Sequence, residues 1–292
     1  MRKYAKYLWI ILLSILVFLI AFWHQTMQVE KERKTLKGKV VFSVGRDDLY
    51  VLDLSSQEVN KIELKKFGIY FPSYPCWLPN GERIVLSNYR DNRGVITVYD
   101  LTNKSVREYP EIKFDCGFIS LSPNGKEIAF VGKSVESGQD SNKLYTLSLD
   151  NNKLTLVTDV SVGPYKPSWS PDGSKIAFTS ADNNIYVLSA DKSELVVCNG
   201  VGPAWNPKGN KILYRSNYFV YILDLDNNQT KSVITNFGFN DVKNYAWSPD
   251  AKYIIYQKCT DNRSNLVVKK LSVNVKIRLQ EFGEITGLCW KY

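Results

Sequence analysis

A chain of 292 residues is long enough to bury a substantial core, and its 18 Tyr, 13 Phe and recurrent Val, Ile and Thr suit half-buried strands better than helices. The formal charge of +9 raises the question of nucleic-acid binding, but the excess is localised. Residues 1–39 hold eight Lys and Arg against Glu30 and Glu32, and the remaining residues are close to neutral. A surface that tracks phosphates needs its cations clustered on the folded body, so nucleic acid is excluded as a partner.

Arg2, Lys3 and Lys6 precede an apolar stretch over 7–23 whose only polar side chain is Ser14. As a helix this stretch spans about 26 Å, close to the ~30 Å of a hydrocarbon core, and aromatic residues at both ends suit the two interfaces. The segment Ala21-Phe22-Trp23-His24-Gln25 offers no small pair spaced for signal cleavage, and no Cys follows to accept a lipid. The reading is a short cytoplasmic tail over 1–6, an uncleaved membrane anchor over 7–23, a stalk over 24–38 and an exported body over 39–292. The charges abutting the apolar run on its N-terminal side set that orientation.

From Gly38 onward one unit repeats. Its fullest form is Trp169-Ser170-Pro171-Asp172-Gly173, and its anchors are Trp77, Leu121, Trp169, Trp205, Trp247 and Trp290, spaced 44, 48, 36, 42 and 43 residues apart. Such a period means stacked or ring-closed supersecondary units. Each of the first five anchors is followed by a second strand carrying Ile-x-[Phe/Tyr] or a close variant, over 84–87, 128–131, 176–179, 212–215 and 254–257. A third and a fourth alternating strand complete the unit. Within the turn Pro presets φ, Asp or Asn suits the next position, and Gly supplies the left-handed residue. Ala251 stands where that Gly is expected, which predicts a different turn geometry or some strain.

The repeat is offset. Residues 40–44, 49–54 and 59–64 read as second, third and fourth strands lacking a first, and residues 285–290 read as a first strand lacking the rest. Joining them predicts an all-β, six-bladed β-propeller closed by N- and C-terminal strands and preceded by one transmembrane helix. Closure of this kind removes exposed sheet edges.

The stretch Trp-Ser-Pro-Asp-Gly-x-x-Ile-Ala-Phe at 169–178 resembles the TolB-type, WD40-like propeller repeat, and the resemblance covers residues 39–292. It implies the fold. It leaves function open, because this repeat serves in binding proteins, in substrate-gating domains of peptidases and in some lyases. The fifteen residues 24–38 leave no room for the α/β domain that precedes the propeller in TolB.

The one histidine, His24, lies at the membrane boundary, so no histidine triad or histidine metal site is expected in the propeller, and neither a nucleophile elbow nor a phosphate loop is present. The expectation is therefore no catalytic residue, no metal ligand and no cofactor. Asp47, Asp48, Asp91, Asp182 and Asp261 fall between second and third strands and read as turn formers, and Asp224–Asn228 reads as a loop with only a faint cation-site look. Cys76 and Cys289 directly precede anchors, where the other units carry Ser120, Ser168, Ala204 and Ala246. This ring of small residues reads as a packing requirement around the axis. Because equivalent positions point the same way round, the two thiols need not face one another, and all five cysteines read as free and buried. The aromatic residues entering first strands, Tyr70, Tyr165 and Phe237, are the candidate binding residues. The function expected is a protein- or peptide-binding scaffold of the cell envelope. The alternatives are a carboxylate-dependent hydrolase or lyase acting on carbohydrate, and a sensor of a small ligand or cation.

Overall fold

The structure is a computed structural model and describes all residues except 1, 91–92, 110–113, 135–140, 190–191, 236–241, 243, 261–262, 274 and 292. The chain opens with helix α1 (Arg2–Arg33), which runs without interruption through the apolar stretch and most of the residues read as a stalk. Nothing in that stretch breaks a helix, and the first Gly is Gly38. The segment Ile11–Arg33 is long and apolar enough to cross a membrane.

Twenty-four strands follow among the described residues, in six four-stranded antiparallel sheets. The first blade takes β1 (Lys39–Val44), β2 (Asp48–Asp53) and β3 (Val59–Ile62) from the start of the body. The second is β4 (Ser73–Trp77), β5 (Arg83–Arg90), β6 (Arg93–Asp100) and β7 (Ser105–Tyr109). The third is β8 (Phe114–Leu121), β9 (Glu127–Ser134), β10 (Lys143–Ser148) and β11 (Leu154–Thr158), and the fourth β12 (Ser168–Trp169), β13 (Lys175–Thr179), β14 (Ile185–Ser189) and β15 (Lys192–Val197). The fifth is β16 (Val201–Trp205), β17 (Lys211–Ser216), β18 (Phe219–Asp224) and β19 (Gln229–Ile234). The sixth is β20 (Tyr245–Trp247), β21 (Tyr253–Thr260), β22 (Arg263–Lys270) and β23 (Lys276–Phe282). The last strand, β24 (Ile285–Lys291), pairs with β1 in the register Val40 to Trp290 and Phe42 to Leu288, completing the first blade. The predicted offset closure is the one observed.

The repeat's Phe or Tyr has a physical role. Phe42 stacks on Tyr50, Phe130 on Tyr145, Phe178 on Tyr186 and Tyr214 on Tyr221, with centroids 5.5–5.8 Å apart and rings within 23° of parallel. Each pair is a directly opposed cross-strand pair of the second and third strands of its blade. Two anchors tie neighbouring blades together by their indole N–H groups: Trp169 donates to the Ser120 carbonyl at 3.2 Å and Trp247 to that of Ala204 at 2.9 Å. Trp290 donates to the Lys37 carbonyl just ahead of β1 at 3.1 Å, and Trp205 to the Gly209 carbonyl of its own turn at 2.9 Å.

The turns after the anchors share one geometry. Gly81, Gly125, Gly173 and Gly209 lie at φ between 69° and 87°, and Ala251 adopts the same left-handed backbone at 60°. Its N–H donates to Ser248 O at 2.9 Å, as Gly173 does to Ser170. Of the two outcomes foreseen for this turn the second holds: the geometry is kept and the strain is borne. Left-handed backbone costs a non-glycine residue ~1–2 kcal/mol, against ~0.5–1 kcal/mol for the freedom Gly brings to the unfolded chain. Ala251→Gly is therefore expected to raise stability by about 0.5–1 kcal/mol, measured as a higher chemical-denaturation midpoint at unchanged slope.

Helix α1 is docked at its C-terminal end. Glu32 accepts hydrogen bonds from Lys270 Nζ at 2.8 Å and Tyr253 Oη at 2.9 Å, and Arg33 donates to the Arg278 carbonyl at 3.2 Å. Leu36 is buried in the cluster holding Val40, Leu52, Ile255 and Trp290. These contacts lie where second strands begin and third strands end. The chain thus enters the propeller on the face that carries the anchor turns. First strands start on the opposite face.

Candidate functional site

The six first strands surround a central channel of about 710 Å³. Its wall is organised by repeat position. One residue before each anchor stand Cys76, Ser120, Ser168, Ala204, Ala246 and Cys289, and all six line the channel. Ser168, Ala204, Ala246 and Cys289 of this ring are half-exposed to the channel, and among the described glycines of the first strands a backbone-to-backbone approach is found at Gly287. Three residues before each anchor stand Tyr74, Phe118, Lys166, Gly202, Asn244 and Gly287, a second ring nearer the face where the first strands start. This ring is asymmetric: Tyr74 and Phe118 are neighbours, Gly287 adjoins Tyr74, and Gly202 and Asn244 lie across from the aromatic pair. Aligning the repeats three residues ahead of the anchor is the signal by which sequence reading reaches these side chains.

Gly287 has a specific reason. A Cβ built on it lies 2.6 Å from Cα and 2.8 Å from the backbone N of Tyr74, so β24 and β4 touch backbone to backbone. Tyr74 in turn packs on Phe118 with centroids 4.7 Å apart, and burial pushes its phenol up to about 12. Across the channel Tyr245 donates from Oη to the Gly202 carbonyl at 2.6 Å, and burial holds its phenol far above its usual range. Asn244 Nδ2 donates to the Ile285 carbonyl at 2.8 Å.

The charges in the wall are Lys166, Arg215 and Lys291, and among the described lining residues there is no Asp or Glu. Lys166 points its ammonium at the Cys76 sulfur, 3.4 Å away. The Cys289 thiol hydrogen-bonds Cys76 and, with Lys166, holds Cys76 well below the usual thiol range; the same bond and burial push Cys289 well above it. Burial disfavours charge on Lys166, but the facing thiolate outweighs it and the amine is held protonated. The expectation that the two thiols need not face each other is thus corrected. Equivalent side chains do point the same way round the ring, but the close approach at Gly287 brings Cys289 within reach of Cys76. The expected burial of the thiols holds for Cys76 and is corrected elsewhere: Cys198, just after β15, is exposed, and Cys259 and Cys289 are half-buried. The side chain of Cys116 lies outside the described residues.

The three candidate binding residues separate. Tyr165 is half-buried in the channel wall. Tyr70 lies on the same face but outside the channel, in an exposed aromatic patch with Phe71 and Tyr89, where its carbonyl accepts from Tyr89 N–H at 3.3 Å and Arg46 lies 5.9 Å from the Phe71 ring. Phe237 lies outside the described residues, as do Asp91 and Asp261. Asp47 and Asp48 pair with Lys65 and Lys61, each at 2.9 Å, and Asp182 is exposed on its turn. Asp224 pairs with Lys211 and accepts from Asp226 N–H at 3.1 Å, while Asp226 accepts from Asn210 at 2.9 Å. Those carboxylates are engaged in turn and ladder contacts. Among the described residues no group of three or more His, Cys, Asp or Glu converges as a metal site would require.

A closed ring of six four-stranded blades defines a six-bladed β-propeller. This chain belongs to the TolB beta propeller domain family, PD40, whose model matches residues 72–291. The solved TolB of Acinetobacter baumannii superposes with a TM-score of 0.74 at 18% identity, over 87% of this chain and 66% of that one. Among curated proteins, dipeptidyl-peptidase 5 of Porphyromonas gingivalis is 30% identical over 92 residues, which is 30% of this chain and 14% of the peptidase. An uncharacterized protein of Agrobacterium fabrum is 22% identical over 76% of this chain and 64% of its own length. The chain therefore spans less than two thirds of these relatives.

Proposed function

We propose that this protein is a membrane-anchored binding module of the cell envelope, whose partner protein or peptide docks on the face where the first strands start. One observation carries the reading: that face presents Tyr165, Phe118, Lys166 and Arg215 at its end of the channel and Tyr70, Phe71 and Tyr89 on the rim, while α1 joins the opposite face. Aromatic and Arg side chains are the residue types that anchor protein interfaces. With α1 in the bilayer and its basic N-terminus cytoplasmic, the propeller lies outside and the face opposite the helix is turned toward a partner. The carbohydrate-enzyme alternative needs carboxylates converging in the channel, and the described wall supplies none. The cation-sensor alternative needs free carboxylates at Asp224–Asn228, which are occupied in the turn.

The test is crosslinking and capture of the full-length protein from its own membranes, compared across variants. Tyr165→Ala and the pair Tyr70→Ala with Phe71→Ala are each expected to weaken recovery of the captured partner about tenfold or more. Lys208→Ala, exposed on an anchor turn of the opposite face, is expected to leave it unchanged. Equal recovery in all variants overturns the assignment of the face.

A further inference from the structure

Cys76 and Cys289 come from strands at opposite ends of the chain, β4 and β24, and meet only because the ring closes. Three features of their setting are independent of one another. The backbones of the two strands touch at Gly287 and Tyr74, two residues before each cysteine. The ammonium of Lys166 lies 3.4 Å from the Cys76 sulfur. Both cysteines belong to the wall of the channel, whose volume of about 710 Å³ has room for a small molecule. A thiolate next to a fixed cation with a second thiol beside it is the arrangement of an attacking and a resolving cysteine.

We propose that Cys76 and Cys289 form a redox-active dithiol that exchanges with low-molecular-weight disulfides entering the axial channel, closing to a disulfide that staples β24 to β4. In the first step the Cys76 thiolate attacks one sulfur of the small disulfide. A Cys76–S–S–R bond forms, the S–S bond of the reagent breaks, and RS⁻ leaves and takes a proton from water. In the second step Cys289 gives up its proton to water and its sulfur attacks Cys76, expelling a second RS⁻. The two protein thiols are oxidised by two electrons, and one small disulfide is reduced to two thiols. The low proton affinity of Cys76 and the high one of Cys289 fit these roles. The product covalently joins the strand that closes the ring to the neighbouring blade, and it leaves the Lys166 ammonium without its counter-charge.

The experiment uses the full-length protein in detergent, in a Cys198→Ser background that removes the exposed thiol, equilibrated with oxidised glutathione. After alkylation, peptides are mapped without reduction. The expected result is a Cys76–Cys289 linked peptide pair, with thermal unfolding raised by roughly 5–10 °C over the reduced protein. Cys289→Ser is expected to stop at a Cys76–glutathione adduct. Lys166→Met is expected to slow the first step about tenfold near pH 6 and less near pH 9, because Cys76 then keeps its proton to higher pH. A merely structural lysine does not produce that pH dependence. The proposal is overturned if both cysteines remain fully alkylated after equilibration, or if each carries its own stable glutathione. It is overturned equally if Lys166→Met leaves the pH profile unmoved.

Discussion

A chain ending at Gly283 is expected to lose cooperative folding of the propeller altogether. Strand β24 contributes Ile285, Leu288 and Trp290 to the core shared by the first and sixth blades, and its ladder covers the inner edge of β1. Burying a large apolar side chain is worth ~1.5–3 kcal/mol, so the strand's apolar residues together rival the ~5–15 kcal/mol net stability of a domain. Removing the strand also leaves β1 with an unpaired edge facing the channel and the Lys37 carbonyl without its indole donor. The check is thermal unfolding by circular dichroism: a truncated chain that melts as one sharp transition within a few degrees of the full protein refutes this closure. A graded version removes only the anchor. Trp290→Ala is expected to cost about 3–5 kcal/mol, for the lost ring volume against Tyr253 and the lost hydrogen bond. The strand itself remains in place in that variant.

The second large effect is expected from a single methyl group. Gly287→Ala places a carbon 2.6 Å from the Tyr74 Cα, and a backbone atom cannot rotate away as a side-chain tip does. The strands must separate, which disturbs the Tyr74–Phe118 pair and the Cys76–Cys289 contact together. Overpacking of this kind costs ~1–3 kcal/mol, with the upper end expected here because backbone has to move. In a body of this size that corresponds to a fall in Tm of roughly 5–10 °C. At Gly202 the same substitution meets only the phenol oxygen of Tyr245, at 3.1 Å, though its φ of 65° adds strain of its own. Measuring both variants separates a closeness effect, which predicts the larger loss at Gly287, from a backbone-conformation effect, which predicts it at Gly202.

Much of the fold was legible because a repeat states the same physical solution several times over. Each Trp-Ser-Pro-Asp-Gly stretch specifies a turn by local chemistry, and each Ile-x-Phe strand specifies a face by period-two alternation. Counting six anchors against six strand triplets displaced by one unit then leaves a single way to close the ring. The helix and its length follow from an unbroken apolar run flanked by basic residues. The ring of small residues around the axis was visible for the same reason, since equivalent positions carried equivalent constraints.

The site was legible only where the repeat breaks its own rule. Lys166 occupies a position filled elsewhere by Tyr74, Phe118, Gly202, Asn244 and Gly287, so no pattern singles it out until the first strands are aligned on the axis. The partnership of Cys76 with Cys289 joins residues more than two hundred positions apart, and the docking of Glu32 on Lys270 and Tyr253 spans a similar separation. Contacts of that range depend on how closely two particular strands approach, and that distance is set by packing around the closed ring. Local turn chemistry and the count of repeats therefore specify the six-bladed ring, its closing strand and the apolar helix. Which side chains share the channel, why β24 must carry glycine beside Tyr74, and which face lies opposite the helix follow from how the strands pack once the ring is closed.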